Sequence, residues 1–176
     1  NNLNSISLRY FNPIGAHKSA LIGELPNGVP QNLVPYITQT AIGLRKELTI
    51  FGNDYPTRDG TCIRDYIHIS DLANSHEVAL KYLLNLKECS FYESYNVGTG
   101  KGTTVLEVVK SFEKVNNLKL NFHIGDRRTG DIIEAYADCS KINKDLGWKS
   151  KFKMDEALES AWKWENNLKI SKIDHC

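Results

Sequence analysis

Several features that would assign a chain of 176 residues to a membrane, a metal or a nucleic acid are absent from this sequence. No apolar run approaches the roughly 18 residues that a membrane-spanning helix needs. The cysteines, at positions 62, 89, 139 and 176, form no Cys-x-x-Cys pair, which argues against a zinc site and favours reduced thiols in the cytoplasm. Lys and Arg number 22 against 21 Asp and Glu, so no net field attracts a nucleic acid or an anionic membrane.

The composition is that of one ordinary globular domain, with 41% hydrophobic and 24% charged residues. A chain of this length can bury a sizeable core. It begins with Asn1, and its one methionine is Met154. We therefore expect either a processed start or a piece of a longer protein.

Alternating strand-like and helix-like periodicity predicts an α/β fold. A long loop at residues 11–32 carries three prolines and three glycines, and such loops in compact domains are usually functional. Strands are predicted at residues 5–10, 48–51, 63–69, 95–97 and 118–124, and residues 135–137 are predicted to be extended. Helices are predicted at residues 33–46, 70–84 (inward stripe Leu72, His76, Ala79, Leu80 and Leu83), 139–146 and 154–168, and after the glycines at 98–102 (Val105, Val108, Val109 and Phe112).

The glycine-rich turn Gly98-Thr-Gly-Lys-Gly102 follows a predicted strand and precedes a helix, as a dinucleotide-binding turn does. The dinucleotide fingerprint needs a third glycine where this sequence has Thr103, whose β-branch obstructs close packing of helix and strand. The acidic residue expected about 20 positions later has no match. We interpret the turn as a plain connection between a strand and a helix that binds no cofactor.

Arginines and tyrosines indicate anion binding at two other places. On the strand at 63–69, period two places Arg64, Tyr66 and His68 on one face, and a guanidinium beside a phenol suits a phosphate. The alternative is a solvated arginine, and His68 is interpreted as structural. In the loop at 125–131, Arg127 and Arg128 could clamp a second phosphate and Asp131 could accept both hydroxyls of a ribose; the alternative is a charged surface loop.

The first strand ends at Tyr10, Phe11 and Asn12, where open α/β sheets bind ligands, although aromatic residues at such a place are more often part of the core. Two anion sites far apart in the sequence would together suit a diphosphate. From the residues alone, the chain is a nucleotide or phosphosugar binder.

Five segments carry a resemblance to a known family, namely residues 8–17, 28–36, 50–57, 59–68 and 127–131. In this order they resemble the C-terminal half of UDP-glucose 4-epimerases, which belong to the extended short-chain dehydrogenase/reductase family. The resemblance covers residues 1–168, the predicted UDP-sugar-binding region, and leaves residues 169–176 as a tail. It implies the substrate-binding half of a Rossmann-type NAD(P)-binding fold whose N-terminal Rossmann core is mostly absent from this sequence.

The resemblance also implies an activity. Family members interconvert UDP-glucose and UDP-galactose in galactose metabolism through an NAD-dependent 4-keto intermediate, with a Tyr-x-x-x-Lys pair as the base. None of the eight tyrosines here is followed by Lys at the fourth position, so we expect no catalytic residue in this chain and no activity of the chain alone. The full-length parent is expected to be a cytoplasmic homodimer.

Individual residues take roles by the same resemblance. Tyr10 and Phe11 are expected to lie against the cofactor NAD, and Ala135 to leave room for an N-acetylated sugar. The residues expected to bind the UDP-sugar are Asn12 and Asn32 (sugar and diphosphate), Thr49, Ile50 and Phe51 (uracil), Arg64 and Arg128 (diphosphate), Tyr66 (site wall) and Asp131 (ribose). Two alternatives stay open, namely another nucleotide-sugar epimerase or dehydratase of the family, and a non-catalytic UDP-sugar-binding module.

Overall fold

The computed structural model describes residues 3–87 and 89–173, and nine strands and five helices lie in these ranges. The strands are β1 (Ser5–Tyr10), β2 (Asn12–Ile14), β3 (Leu48–Phe51), β4 (Ile63–Arg64), β5 (Tyr66–His68), β6 (Tyr92–Val97), β7 (Thr103–Thr104), β8 (Phe122–Gly125) and β9 (Glu134–Ala135). The helices are α1 (Leu33–Ala41), α2 (Ile69–Asn85), α3 (Val105–Val115), α4 (Ser140–Leu146) and α5 (Met154–Ile173).

The strands pair mainly in parallel, which confirms the predicted α/β fold. β1 pairs with β6, β2 with β5, and β3 with β8, all in parallel. β4 lies between β7, which is antiparallel to it, and β9, which is parallel. Every parallel pair joins strands that are distant in sequence, as crossover connections require.

Two hydrophobic clusters hold these layers together. The larger lies where α1, α3 and α5 pack with β3, and the smaller lies between β5, β6, α2 and α4. Helix α3 contributes most clearly, because its predicted inward residues Val108, Val109 and Phe112 are fully buried. It begins with a capping box in which Thr104 accepts from the Glu107 amide and the Glu107 side chain accepts from the Thr104 amide.

Two helices have bounds that differ from the prediction. Helix α1 ends at Ala41 rather than at residue 46, because Gly43 has φ +84° and turns the chain out of the helix. Helix α5 continues to Ile173, through the position where the tail was expected to begin. The division of the chain at residue 168 therefore stays a prediction.

Helix α2 buries a different face from the predicted stripe. Leu72 and Ala79 are buried as expected, but Leu80 is 55% exposed, and Asp71 and Ser75 are buried in the stripe instead. The polar residues are stable there because the Asp71 carboxylate accepts from two backbone amides before α5, and the Ser75 hydroxyl donates to the Leu72 carbonyl.

Two predicted strands are also shorter than expected. The strand at 63–69 is divided at Asp65 into β4 and β5, and the one predicted from residue 118 begins at Phe122. None of the helices in residues 3–87 and 89–173 combines the length and the apolar character of a membrane span.

The side chain of His68 connects the start of α2 to α5, which supports its interpretation as structural. Its Nδ1 atom accepts from the Ser70 amide at 2.9 Å, so the proton of the neutral ring lies on Nε2. Nε2 is 3.3 Å from the hydroxyl of Ser160, which in turn accepts from the Ala16 amide at 3.0 Å. Phe152 stacks on the imidazole with a centroid distance of 4.3 Å.

Burial lowers the pKa of His68 from its ordinary value of 6.5, against the opposing effect of the nearby Asp71 and Glu156 carboxylates. The folded protein therefore favours the neutral ring. The stability that depends on this preference is fully present above the unfolded pKa and is lost as the pH falls through 6.5 toward the folded value.

We expect the urea midpoint of unfolding to fall between pH 7.5 and pH 5.5, and to fall less in His68→Gln, which carries no titratable ring. Glu107 does not contribute in this window, since the Arg58 hydrogen bond holds its pKa at about 2 and the stability linked to it is lost only at lower pH. Equal pH dependence of the two proteins would contradict the role of His68.

Candidate functional site

A cavity of about 820 Å³ lies where the carboxyl ends of β1 and β4 and the start of β5 meet β3, α1 and the loop after β8. Its volume is within the range of small-molecule sites. All but two of the residues that the resemblance assigns to the site line this cavity. They are Tyr10, Phe11, Asn12, Asn32, Thr49, Phe51, Arg64, Tyr66, Arg128 and Asp131.

The two exceptions are Ile50 and Ala135. Ile50 is only 1% exposed and belongs to the larger hydrophobic cluster, because alternation along β3 directs Thr49 and Phe51 to the cavity and Ile50 to the opposite face. The Ile50 side chain therefore faces the core, so only its backbone is available to a ligand, and its assignment to the strand that receives uracil stays a prediction. Ala135 lies on β9, in register with Arg64, and is not among the residues that line the cavity.

Arg64 is held in a fixed position at the wall of the cavity. Its Nη1 atom donates to the carbonyls of Ile63 and Ile132, both at 2.8 Å. Its Nη2 atom lies 3.5 Å from Oδ1 of Asp131, and the arginine side chain is 17% exposed. The guanidinium is thus fixed before any ligand arrives, so it loses little conformational freedom on binding.

Arg128 reaches the same carboxylate from the loop after β8. Its Nε and Nη2 atoms donate to the two carboxylate oxygens of Asp131 at 3.1 and 2.8 Å, and its guanidinium lies 5.5 Å from the ring centre of Phe51. Two arginines and one aspartate leave one net positive charge at this end of the cavity. Arg64 and Arg128 therefore lie in one cleft, whereas their binding of a diphosphate stays a prediction.

Arg127 does not join them, so the prediction of a clamp made by two adjacent arginines is wrong. Its Nε atom donates to Oδ1 of Asp54 at 2.6 Å, and its guanidinium lies 4.2 Å from the ring centre of Tyr55. The Arg127 hydrogen bond lowers the pKa of Asp54. These contacts hold Arg127 outside the cavity, while Arg128 lines it.

Polar groups line the rest of the cavity. Tyr66 is buried, and this burial raises the pKa of its phenol, so the hydroxyl is neutral. Asn32 donates through Nδ2 to the Glu24 carboxylate at 2.7 Å, which leaves one amide hydrogen and the amide oxygen for a ligand. Tyr36 and Cys62 also line the cavity and had no predicted role, although Tyr36 lies one helical turn after Asn32 and was in that sense detectable.

The glycine-rich turn is occupied by a carboxylate of the chain itself. Asp65, which has no exposed surface, accepts from the amides of Thr99, Gly100 and Ala137 at 2.9, 2.9 and 3.1 Å and from the Thr99 hydroxyl at 2.6 Å. A Cβ atom at Gly98 would lie 2.4 Å from Oδ2 of Asp65, so only glycine permits this approach. The amides that would bind a phosphate in a nucleotide-binding turn are used internally, which supports the interpretation of a plain connection.

Comparison with known proteins adds a family to this geometry. Residues 1–161 match the family model described as GDP-mannose 4,6 dehydratase. The UDP-glucose 4-epimerase of Drosophila melanogaster is 52% identical over 161 residues, which are 92% of this chain and 46% of that protein. The chain therefore spans about half the length of the curated relatives it matches.

Solved structures show the same similarity. The UDP-glucose-4-epimerase of Stenotrophomonas maltophila with bound NAD and formylated UDP-arabinopyranose superposes with a TM-score of 0.93 at 45% identity, over 97% of this chain and 50% of that chain. The UDP-glucose 4-epimerase of Bifidobacterium longum in complex with NAD+ and UDP gives a TM-score of 0.88 at 43% identity, over 94% and 48%.

Replacing Asp65 with Asn tests the internal carboxylate. The amide keeps one acceptor oxygen and turns an NH2 group toward backbone N–H donors, so buried donors lose their partners. We expect Asp65→Asn to lower the free energy of unfolding by about 3 kcal/mol. Urea denaturation measures this loss.

Asp138→Asn is the matched control, because the exposed Asp138 carboxylate accepts from the Ser140 amide outside the core. We expect the control to lose less than about 1 kcal/mol. Similar losses in the two variants would show that the Asp65 contacts contribute no more than surface contacts do.

Proposed function

Because the chain belongs to the family described as GDP-mannose 4,6 dehydratase, we propose that it supplies the UDP-sugar-binding half of an NAD-dependent UDP-glucose 4-epimerase. The relatives at about half identity carry the epimerase name rather than the dehydratase name, which favours this member of the family. Under this proposal the complete protein interconverts UDP-glucose and UDP-galactose.

The convergence of Arg64 and Arg128 is the observation that carries the proposal. A nucleoside diphosphate places two adjacent phosphates in one site, and guanidinium groups donate in a planar fork that matches phosphate oxygens. The local excess of one positive charge favours an anion. On binding, the phosphate oxygens compete with the Asp131 carboxylate for Arg128, which releases carboxylate lone pairs for the ribose hydroxyls.

The remaining walls suit the two ends of a UDP-sugar. Phe51, Leu33 and Tyr36 offer apolar and aromatic surface for the base. Asn12, Asn32 and Tyr66 offer amide and phenol groups that hydrogen-bond sugar hydroxyls. In this proposal the binding groups of the chain orient the sugar. The catalytic tyrosine, which acts as the proton acceptor, and its lysine come from a part of the protein outside this sequence.

In this proposal NAD binds at the end of the cavity where Tyr10 and Phe11 lie. Tyr10 and Phe11 both line it, and the Phe11 amide is fixed by a hydrogen bond to the Val97 carbonyl at 3.1 Å. The chemistry that bound NAD would supply is hydride transfer from the sugar C4 atom and back to it. The part of this chain is to hold the sugar against that end, and we expect no turnover from the chain alone.

A cytoplasmic location belongs to the same proposal. The cysteines Cys62, Cys89 and Cys139 are all free thiols, which agrees with a reducing compartment. The homodimer expected of the complete protein stays a prediction.

Adjacent arginines provide a matched test of the diphosphate site in the complete native protein that carries this chain. We expect Arg128→Ala to weaken UDP binding by about 10- to 100-fold, because it removes charge-assisted hydrogen bonds to phosphate. Arg127→Ala removes the same charge one residue away, but its guanidinium pairs with Asp54 outside the cavity, so we expect less than about a threefold effect. Isothermal titration calorimetry measures both; equal weakening by both variants would contradict the proposed site.

Ala135 carries our proposal for sugar specificity. It pairs with Arg64 in the β4–β9 register although it does not line the cavity itself, and we propose that its small side chain leaves room for an N-acetyl group. We expect the complete protein to epimerise UDP-N-acetylglucosamine as well as UDP-glucose, and Ala135→Tyr to abolish the first activity while retaining the second. Coupled assays with both substrates measure this; an unchanged ratio of kcat/KM values in the variant would exclude Ala135 as a determinant.

A further inference from the structure

Three side chains form a series of polar contacts from the surface to the cavity. Thr49 on β3 and His123 on β8 are direct partners in the parallel register, and Thr49 Oγ1 lies 3.3 Å from His123 Nε2. His123 Nδ1 lies 3.2 Å from a carboxylate oxygen of Glu47. Thr49 also lines the cavity, so this series of contacts ends at the ligand site.

The rotamer of Thr49 is fixed by a second contact. A Cβ atom at Gly125 would lie 2.8 Å from Thr49 Cγ2, so the glycine provides the space that the threonine methyl occupies. With the methyl group against Gly125, the hydroxyl is left to face His123. The Thr49 oxygen therefore has one defined position at the cavity wall.

The protein groups also define the direction of the hydrogen bonds. A carboxylate oxygen faces Nδ1 and can only accept, so the single proton of a neutral imidazole at His123 belongs on Nδ1. Nε2 of the neutral ring then accepts the proton of the Thr49 hydroxyl. The lone pairs of the threonine oxygen remain for a donor in the cavity.

We propose that Glu47 and His123 are positioning residues that present the Thr49 oxygen as a hydrogen-bond acceptor to the uridine part of the substrate. This inference rests on the proposed function, because it assumes a uridine diphosphate in the cavity. The matching donor is either the N3–H of uracil or a ribose hydroxyl. β3 has a hydrogen-bonded neighbour on one side only among the described strands, so its backbone also offers donors and acceptors to a base.

The exposure of the His123 and Glu47 side chains indicates that they orient Thr49 rather than stabilise the fold. The side chains of His123 and Glu47 are 48% and 40% exposed, and ion pairs at such positions contribute little to folding. Substitutions at these positions should therefore leave the thermal midpoint of unfolding unchanged and alter ligand binding.

The test uses UDP titrations of the complete native protein that carries this chain and of four variants, Thr49→Val, Thr49→Ser, His123→Phe and Thr49→Val/His123→Phe. Thr49→Val keeps the shape without the hydroxyl and should weaken UDP binding about fivefold, the effect of one hydrogen bond. Thr49→Ser should bind like the wild type. His123→Phe should weaken binding less, and the double variant should equal Thr49→Val, since a positioning residue has no effect once the hydroxyl is gone.

Two analogues identify the donor. If N3–H is the donor, 3-methyl-UDP binds the wild type more weakly than UDP does, and Thr49→Val removes part of this difference; if a ribose hydroxyl is the donor, 2′-deoxy-UDP shows this behaviour instead. Either result supports the inference. Wild-type affinity in Thr49→Val, or additive effects in the double variant, would overturn it while leaving the proposed function intact. Failure of the wild type to bind UDP would overturn both.

Discussion

The buried carboxylate of Asp65 is the interaction on which the rest of the site depends. It lies at the junction of β4 and β5 and accepts hydrogen bonds from the glycine-rich turn and from Ala137. It thereby connects three segments that are far apart in the sequence. Arg64 and Tyr66 flank it along the chain, so its position determines theirs. Such a carboxylate is costly to bury unless each oxygen is hydrogen-bonded, and here both oxygens are.

The same interaction explains why the glycine-rich turn looks like a nucleotide-binding motif. Glycines that leave backbone amides open to a phosphate also leave them open to a carboxylate, because both are anions that accept several hydrogen bonds. Here the anion is the Asp65 carboxylate of the chain itself. The turn contacts the Asp65 face of the β4–β5 segment, and the ligand cavity lies on the face that carries Arg64 and Tyr66. The turn thus contributes to nucleotide-sugar binding through the scaffold rather than by contact.

Local patterns predicted the elements whose stability is local. The i, i+3, i+4 and i+7 pattern predicted α3, and the bounds of β3 agreed with the prediction. The predictions were wrong where contacts between residues far apart in the sequence determine the local structure. Leu80 is exposed because Asp71 and Ser75 find partners in the face that it was expected to occupy, and the long strand at 63–69 is interrupted because Asp65 turns toward residues 99–100.

The site was predicted in part by residue chemistry and in part by resemblance. Period two correctly placed Arg64 and Tyr66 together, whereas the separation of Arg128 from Arg127 depends on the Asp54 and Tyr55 partners of Arg127, which no local pattern reveals. Ile50 was assigned by resemblance as part of a strand, and alternation along that strand would have excluded its side chain.

The most direct measurement is a crystal structure of the complete protein with UDP bound. We expect both phosphates within hydrogen-bond distance of the Arg64 and Arg128 guanidinium groups, with Asp65 still bound to the amides of Thr99 and Gly100. A phosphate seated on the amides of the 98–102 turn, with Asp65 displaced, would contradict it.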